Sequence, residues 1–428
     1  MSLLPAGYRI VEVGAPRRAE FLDVDRTAFA MSPSAEVDAV VPFTVPDDRT
    51  MAVQAPDGTL AAVHGSYPFT LPVPGGALPC AGLTWVGVRP DQRRRGLLTA
   101  MIDVHVERSL GRGESVSALF AAEAAIYGRF GYGCAADDVQ ATVPRGAALR
   151  PVAGSERLTV RFDAVDEATH GPLVHQVHVA AGVGRPGWIT RPTDALRRRV
   201  IVDPSPWRHG AEPLRLVSVH APDGEPRAYA LLARMEHWDR SVPAYTVAMR
   251  EAAAVDAAAA HRLWSFVLDL DLVATVDTPL LAPDDPLLTL LVDRRSARPR
   301  LTDNLWLRLL DVPTALAGRR YAAPLDVVIE VTDARLPANA GRWRLTTQTV
   351  TEADASDDRT GWPATVTTTD APADLVLDVR ELGAAYLGGR SLTDLARAGL
   401  VEECTAGAAT RAGAAFGWPV APVCSWVF

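Results

Sequence analysis

The sequence predicts an α+β protein of three parts, residues 1–150, 151–300 and 301–428. A chain of 428 residues exceeds one ordinary core, so two or three domains are expected. The first two parts share the same order of a hairpin, a strand and a helix, whereas the third contains separate strands and short helices. This order predicts a duplicated fold followed by an independent α+β domain.

The overall composition is that of a globular protein, with 48% hydrophobic and 22% charged residues. The net charge of −8 gives no electrostatic reason to expect a nucleic-acid partner. No uncharged apolar run approaches the ~20 residues of a membrane helix, and the first residues lack the basic and apolar regions of a signal peptide. We therefore expect a cytoplasmic protein with no membrane partner.

The four cysteines are Cys80, Cys134, Cys404 and Cys424, and they show no CxxC spacing. None has a histidine partner at the spacing of a metal site. We therefore expect reduced thiols and no bound metal.

Turn signals and apolar periodicity predict the elements of the first part. Pro56-Asp57-Gly58 separates two short apolar runs, which predicts a β-hairpin. A strand ends at Arg89-Pro90, and a helix with an apolar face begins after Gly96. In chain order, the predicted elements are a helix over 18–29, hairpin strands over 50–54 and 60–65, a strand over 82–88, a helix from 97 to 111, a strand over 117–122, and a short helix through Tyr127 that ends at 131–133.

The second part repeats this order. Pro222-Asp223-Gly224 is the turn of a second hairpin, with strands over 214–219 and 228–236. A strand over 245–250 precedes a helix over 256–268, for which Asp256 is the predicted N-cap. The junction between them contains no glycine, so we predict a degenerate copy that holds no cofactor.

In the third part the predicted elements are strands over 305–312, 325–331, 342–347 and 373–379 and helices over 382–386 and 392–398. The Asp- and Thr-rich segment 354–369 is predicted to form a polar loop and an edge strand.

The junction between the strand over 82–88 and the helix that follows carries the clearest chemical signal. Unpaired N–H groups at a helix start form an anion site together with the helix dipole. Gly96 would let the backbone approach a diphosphate, and Arg93, Arg94 and Arg95 add charges that can bind phosphate oxygens. The RRRG string by itself would also fit a solvated basic surface. The apolar strand before it and the apolar helix face after it favour a phosphate site.

These residues bear a family resemblance. The segment Val86-x-Val88-x-Pro90-x-x-Arg93-Arg94-Arg95-Gly96-Leu97-Leu98 resembles the acetyl-CoA loop of GCN5-related N-acetyltransferases (GNATs), with Leu98 at a position where the pattern has a small residue. Residues 126–133, IYGRFGYG, are similar to the Eis (enhanced intracellular survival) family of GNATs. So are residues 305–312, LWLRLLDV, with Arg319-Arg320-Tyr321 after them, so the resemblance spans the chain.

The resemblance implies an acetyl-CoA-dependent N-acetyltransferase that acts on the primary amine of a small cationic acceptor or a lysine-like side chain. It implies two GNAT-like domains, the second degenerate, then a domain resembling sterol carrier proteins, assembled as a homohexamer. No metal is implied. The residues expected to bind acetyl-CoA are Val86, Gly87, Val88, Arg93, Arg94, Arg95, Gly96, Leu97, Leu98, Thr99, Ala122 and Glu123.

The resemblance also implies two catalytic groups. Tyr127 would protonate the departing thiolate, because a phenol with a pKa near ~10 is a neutral donor at pH 7. The terminal α-carboxylate, here on Phe428, would accept the proton of the amine. Both residues could instead serve packing, and Tyr132 is the second candidate for the acid, which we interpret as a packing residue. A non-catalytic ligand carrier or a scaffold is the alternative function.

Several other residues leave two interpretations open. His64 and His105 lie in apolar patterns and are predicted to be core histidines rather than bases. The arginines at 197–199 are predicted to form a solvated or interface surface. Asp23 and Asp25 could line an amine pocket or face solvent. Val427 stands where aminoglycoside-acetylating Eis proteins carry an acidic residue, so a cationic acceptor would lose one favourable charge.

Overall fold

The computed structural model describes residues 4–348 and 360–428. The strands are β1 (Arg9–Glu12), β2 (Thr50–Gln54), β3 (Leu60–Val73), β4 (Gly76–Val88), β5 (Val116–Leu119), β6 (Gly133–Cys134), β7 (Asp137–Gln140), β8 (Thr142–Pro144), β9 (Thr159–Ala164), β10 (Arg215–His220), β11 (Pro226–Met235), β12 (Trp238–Asp239), β13 (Val242–Pro243), β14 (Tyr245–Ala254), β15 (Val273–Asp277), β16 (Arg300–Asp303), β17 (Trp306–Leu309), β18 (Asp326–Thr332), β19 (Gly341–Thr347), β20 (Ala364–Thr368), β21 (Leu375–Asp378) and β22 (Val401–Glu403). The α-helices are α1 (Arg18–Ala28), α2 (Ala35–Val40), α3 (Leu97–Gly111), α4 (Ala124–Tyr127), α5 (Glu167–Ala181), α6 (Asp194–Ile201), α7 (Ala257–Val267), α8 (Pro286–Leu290), α9 (Val312–Ala317), α10 (Val379–Ala385), α11 (Leu392–Arg397) and α12 (Ala408–Phe416).

A seven-stranded sheet, ordered β1-β2-β3-β4-β5-β17-β6, forms the first domain. The predicted hairpin is confirmed as β2 and β3, which pair antiparallel from Thr50↔Gly65 onward. Strand β3 continues past its predicted end because alternate residues up to Val73 remain buried. Helix α3 begins directly after Gly96 and ends at Gly111, as predicted.

A six-stranded sheet, ordered β8-β15-β14-β11-β10-β9, forms the second domain. The second hairpin is confirmed as β10 and β11. The side chain of Asp256 accepts a hydrogen bond of 2.8 Å from the backbone N–H of Ala259, so this residue is the N-cap of α7, as predicted.

The third domain contains a five-stranded sheet, ordered β20-β19-β18-β21-β22. Strand β20 lies at its edge, which confirms the predicted edge strand for that part of 354–369. Residues 354–359 lie outside the described residues. Helices α11 and α12 pack against each other beside β22.

The borders predicted at residues 150 and 300 do not coincide with the sheets. Strand β17, predicted to open the third part, pairs with β5 and β6 in the first sheet. Strand β8, which the sequence analysis does not predict and whose residues fall in the predicted first part, pairs with β15 in the second sheet. The local sequence of a short apolar strand does not indicate which strand it pairs with, because that strand lies far away in the chain.

Strand β17 also connects the first domain to the third. Arg308 on β17 is almost fully buried, and its guanidinium forms an ion pair of 2.7 Å with Asp333, just after β18. Removing one partner of such a buried ion pair strongly destabilises the fold, because the other charge is left buried without a partner. In the part of the chain that the structure describes, no helix has the length and apolar character needed to cross a membrane.

Candidate active site

An opening between β4 and β5 forms the centre of the candidate site. The parallel pairing of these strands runs from Cys80↔Val116 to Gly82↔Ala118 and continues no further. Strand β4 extends to Val88 with β3 on its other side, whereas β5 ends at Leu119. Residues 83–88 therefore present backbone N–H and C=O groups to a space that no strand fills in the described structure. We call the space between residues 83–88 and residues 120–123 the wedge.

A β-bulge lies on the β4 side of the wedge. Gly65 pairs with Thr84 but Val63 pairs with Gly87, so β4 carries one extra residue there. Trp85 has a φ of 52°, in the left-handed region that non-glycine residues seldom occupy. Bulges redirect backbone and side chains, and such strain is concentrated at functional sites.

The arginine-rich loop lies at the open end of β4, in front of α3. Gly96 is the N-cap of α3 with a φ of 78°, and a Cβ added there would meet no atom within 4 Å. The glycine is thus required by its backbone angle, and the space in front of the helix is open to a ligand. Arg93, Arg94 and Arg95 are exposed around this space.

The two sides of the wedge meet at its rim. The guanidinium of Arg93 lies 4.0 Å from the carboxylate of Glu123, which follows β5. Arg95 donates a hydrogen bond of 3.1 Å to the hydroxyl of Tyr8. The structure therefore brings the predicted binding residues together around one opening: Val86, Gly87 and Val88 on β4, Leu97, Leu98 and Thr99 in the first turn of α3, and Ala122 and Glu123 across the wedge.

Tyr127 closes one face of the wedge. It is the last residue of α4 and is 9% exposed, in a cluster with Leu83 and Leu119. Its hydroxyl makes no hydrogen bond in the described part of the chain. Burial, together with the charge of Glu123, raises the pKa of Tyr127 to about 12, so the phenol stays protonated at neutral pH.

Tyr132 is different in both respects. It is fully buried, and its hydroxyl forms a hydrogen bond of 2.8 Å with that of Ser117. His105 forms a hydrogen bond of 2.8 Å with the hydroxyl of Ser117, and its ring lies against the ring of His64. Burial lowers the pKa of His64 to about 4. The predictions that Tyr132 is a packing residue and that both histidines belong to the core are confirmed.

Phe428 lies at the same strand end as Tyr127. Its ring packs edge-on at 4.9 Å from Phe69, 5.4 Å from Phe120 and 5.7 Å from Trp426. Ala118 of β5 packs in the same hydrophobic cluster as Phe120 and Phe428, and successive side chains of a strand point to opposite faces. Leu119 contacts the cluster of Tyr127, so Tyr127 and Phe428 approach the end of β5 from its two faces.

The preceding residues of the tail are held by side-chain hydrogen bonds. The backbone N–H of Cys424 donates to Asn304 at 2.8 Å. The hydroxyl of Ser425 bonds His178 at 2.9 Å, and the indole N–H of Trp426 donates to the carbonyl of Ile189 at 2.7 Å. These partners belong to the second domain and to the segment before β17, so the position of Phe428 depends on contacts between domains.

Comparisons with known proteins agree with this architecture. Models described as acetyltransferase (GNAT) domains match residues 12–135 and 187–309, and a sterol carrier protein domain model matches residues 312–425. An uncharacterized N-acetyltransferase of Streptomyces avermitilis is 39% identical over 383 residues, covering 88% of each chain. The N-acetyltransferase Eis of Mycobacterium tuberculosis is 33% identical over 387 residues, covering 87% of each.

This chain belongs to the Eis family of GCN5-related N-acetyltransferases. Among solved structures, Eis1 from Mycobacterium abscessus has a TM-score of 0.78 at 30% identity, covering 98% of this chain and all of that one. A GCN5-related N-acetyltransferase from Anabaena variabilis shares the fold, with a TM-score of 0.79 at 18% identity. The protein is an N-acetyltransferase with two GNAT domains and a sterol-carrier-like domain.

The second GNAT domain of this Eis family member differs from the first where a phosphate would bind. Its helix α7 is preceded by Asp256, and the carboxylate of that residue already accepts from the first turn. At the equivalent helix start the first domain has Gly96 and open space. A carboxylate repels a diphosphate, so the helix start of the second domain is unsuited to acetyl-CoA.

Asp25 and Arg199 join the site through the tertiary structure. Asp23 is exposed, and its carboxylate lies 3.4 Å from Arg89, whereas Asp25 is 8% exposed on the face of α1 that covers β4. Burial raises the pKa of Asp25 to about 6, although the positive charges of Arg199 and Arg26 lower it in part. Of the arginines at 197–199, predicted to share one surface, Arg198 pairs with Glu167 at the surface whereas Arg199 faces Trp85. The helical spacing of Phe21, Val24 and Ala28 was the available signal for Asp25, because it places Asp25 beside the buried face.

Proposed function

We propose that this N-acetyltransferase transfers the acetyl group of acetyl-CoA to a primary amine of a small cationic acceptor or a lysine-like side chain. Tyr127 is the general acid and the α-carboxylate of Phe428 is the general base. The observation that carries this proposal is that Tyr127 and Phe428 pack on opposite faces of the end of β5, beside the wedge.

The wedge and the arginine loop fit acetyl-CoA. Acetyl-CoA supplies an activated acetyl thioester at the end of a long arm that carries a diphosphate. The N–H groups at the start of α3 and the exposed Arg93, Arg94 and Arg95 would bind the diphosphate. The unpaired edge of residues 83–88 would bind the arm and orient the thioester carbonyl toward backbone N–H groups.

In this mechanism a bond forms between the amine nitrogen and the acetyl carbon, and the bond between that carbon and sulfur breaks. The proton lost by the amine passes to the carboxylate of Phe428, directly or through water. The hydroxyl of Tyr127 gives its proton to the departing sulfur. Because the phenol has a raised pKa, it stays protonated until the thiolate forms.

The aromatic packing of Phe428 supports a positioned carboxylate. Chain ends are ordinarily frayed unless tied down. Here the last ring contacts Tyr67, Phe69, Phe120 and Trp426. If the carboxylate were not the base, buried Asp25 with its pKa of about 6 would be the internal acid to examine next.

The direct test is thiol release from acetyl-CoA by the full-length protein in the presence of a panel of primary amines. Amine-dependent release with a matching N-acetylated product is the expected result. A chain that binds acetyl-CoA but releases no thiol with any amine would contradict the proposal, and would agree with a carrier or scaffold. The same preparation tests the proposed homohexamer, whose mass by light scattering should be six times 45.7 kDa.

A further inference from the structure

A cavity of about 460 Å³ lies beside the C-terminal tail. Trp426 and Val427 line one side of it, and residues of the second domain, among them Arg199 and Trp207, line the rest. The tail continues from this wall to Phe428 at the end of β5. Because Val427 and Phe428 are consecutive, the wall of the cavity and the end of β5 are separated by a single residue of chain.

Three arginines line the cavity, Arg191, Arg199 and Arg250, and two of them are paired with carboxylates. Arg191 makes two hydrogen bonds to Glu251, at 3.1 and 2.6 Å. Arg250 lies 3.0 Å from Asp203. In the part of the chain that the structure describes, Arg199 has no hydrogen bond and no ion pair, although it is half-buried. Among the arginines of this cavity wall, it is the one that forms no ion pair with a described residue.

Arg199 is held between two indole rings from different domains. Its guanidinium carbon lies 6.0 Å from the ring centre of Trp85 and 5.7 Å from that of Trp207. Cation–π contacts of this kind fix the plane of a guanidinium and leave its N–H edge free to donate. Trp85 is the bulged residue of β4, directly before Val86, so the charge lies one side chain away from the wedge.

Two buried groups of the first domain are affected by the charge of Arg199. The charge of Arg199 acts on Asp25, whose carboxyl is too far away to form an ion pair with it. It also acts on Tyr67, where burial raises the pKa and Arg199 opposes that rise. The ring of Tyr67 lies 6.3 Å from that of Phe428. Arg199 thus exerts its charge on two buried groups of the first domain without forming an ion pair with Asp25.

We propose that Arg199 binds a carboxylate of the acceptor, so that the preferred acceptor is an amino acid-like compound with its reacting amine at one end and its carboxylate at the other. This inference rests on the proposed function and narrows the acceptor to a cationic amine that also carries a carboxylate. A guanidinium forms two parallel hydrogen bonds with a carboxylate, and these are strong where water is partly excluded. The amine end lies toward the carboxylate of Phe428 and Asp25, and the acid end lies toward Arg199. Val427, which has no charge, does not compete for Arg199.

The test compares two amines of nearly the same shape, 4-(aminomethyl)benzoate and 4-methylbenzylamine, with the full-length protein and saturating acetyl-CoA. We expect kcat/KM to favour the carboxylate by about 10- to 100-fold, the effect of hydrogen bonds to a charged group. In Arg199→Gln, this ratio should fall to about one, mainly through a higher KM for the benzoate. Arg198→Gln is the matched control, because Arg198 is the adjacent residue of the chain and pairs with Glu167 at the surface. It should leave both rates and their ratio unchanged.

Three results would overturn the inference. If the wild type acetylates both amines equally well, the acetyltransferase proposal stands and the role of Arg199 is refuted. If Arg199→Gln lowers both rates alike, Arg199 only clamps the two domains through its indole contacts, and a lower thermal midpoint would accompany that result. If neither these amines nor hexane-1,6-diamine is acetylated, the proposed function and the inference fail together.

Discussion

The ring of Phe428, the last residue of the sequence, lies 4.9 Å from the ring of Phe69 on β3, at an angle of 74°. This contact joins the end of the third domain to the sheet of the first. It brings Phe428 to the end of β5, beside the wedge, and it separates two roles of this residue. The ring contributes packing, whereas the carboxylate is proposed to contribute chemistry.

A single glycine added after Phe428 should abolish turnover while leaving the fold intact. The ring keeps its aromatic contacts, but the carboxylate moves outward by about 3.3–3.6 Å. Misplacement by about an ångström can cost ~10²-fold in rate. Thiol release, acetyl-CoA affinity and the thermal midpoint would be measured together, with an N-terminal glycine extension as the control. Full activity with a normal midpoint would show that the carboxylate is not the base.

Deleting Phe428 is a less clean test, and the structure gives the reason. The deletion removes a ring that contacts four other aromatic rings, so it should lower the free energy of unfolding by as much as about 3 kcal/mol. Loss of activity in that variant could then arise from lower stability as well as from the displaced carboxylate. Phe428→Leu keeps the carboxylate and part of the packing, and we expect it to be more active than the glycine extension.

Tyr127→Phe should lower kcat by ~10²–10⁴-fold, the range expected for loss of a general acid. Acetyl-CoA affinity and stability should be nearly unchanged, because the hydroxyl makes no hydrogen bond in the described part of the chain. Tyr132→Phe is the matched control, since it breaks the bond to Ser117 and should lower stability more than kcat. A Tyr127→Phe enzyme with near-normal turnover would assign the proton to water or to another residue.

Gly96→Asp should abolish acetyl-CoA binding, since it introduces both a side chain and a negative charge in front of α3. Gly113 provides a close control after the other end of the same helix. Its φ is 76°, and a Cβ there would also meet nothing within 4 Å, so the backbone strain of substitution is the same. Gly113→Asp should therefore cost a similar ~1–2 kcal/mol of stability without weakening acetyl-CoA binding. Calorimetric titration with acetyl-CoA would measure the affinity of each variant. Equal affinities would show that the loop does not bind acetyl-CoA.

Asp25 should make stability depend on pH in the acid range. Its pKa is raised from 3.8 to about 6, so the folded state favours the protonated carboxyl. The stabilisation is fully present below about pH 4 and is lost as the pH rises through about 6. At about 1.4 kcal/mol per unit, the loss is about 3 kcal/mol.

Asp25→Asn should remove this dependence. The thermal midpoint of the variant relative to the wild type should rise between pH 4 and pH 7. Asp285, whose pKa burial also raises to about 6, is present in both proteins and cancels in the comparison. Asp23→Asn, at an exposed position, serves as the control, and parallel pH curves for Asp25→Asn would contradict the expected burial of this carboxyl.

The local elements of this protein were largely predictable from the sequence. The Pro-Asp-Gly turns marked both hairpins, Gly96 marked the start of α3, and Asp256 marked the N-cap of α7. Each of these signals acts within a few residues, because turn geometry and helix capping are satisfied by neighbours in sequence. The same locality made the arginine loop and Tyr127 recognisable from their motifs.

The sequence by itself thus determined the elements, the family and the loop that is proposed to bind a phosphate. Only the tertiary structure decided which sheet receives β17, how deeply Asp25 is buried, and where Arg199 and Phe428 lie. These features depend on contacts between residues that are far apart in the chain. A strand can pair with any edge of matching pattern, and a side chain acquires its burial, its pKa and its aromatic neighbours only when the domains pack together.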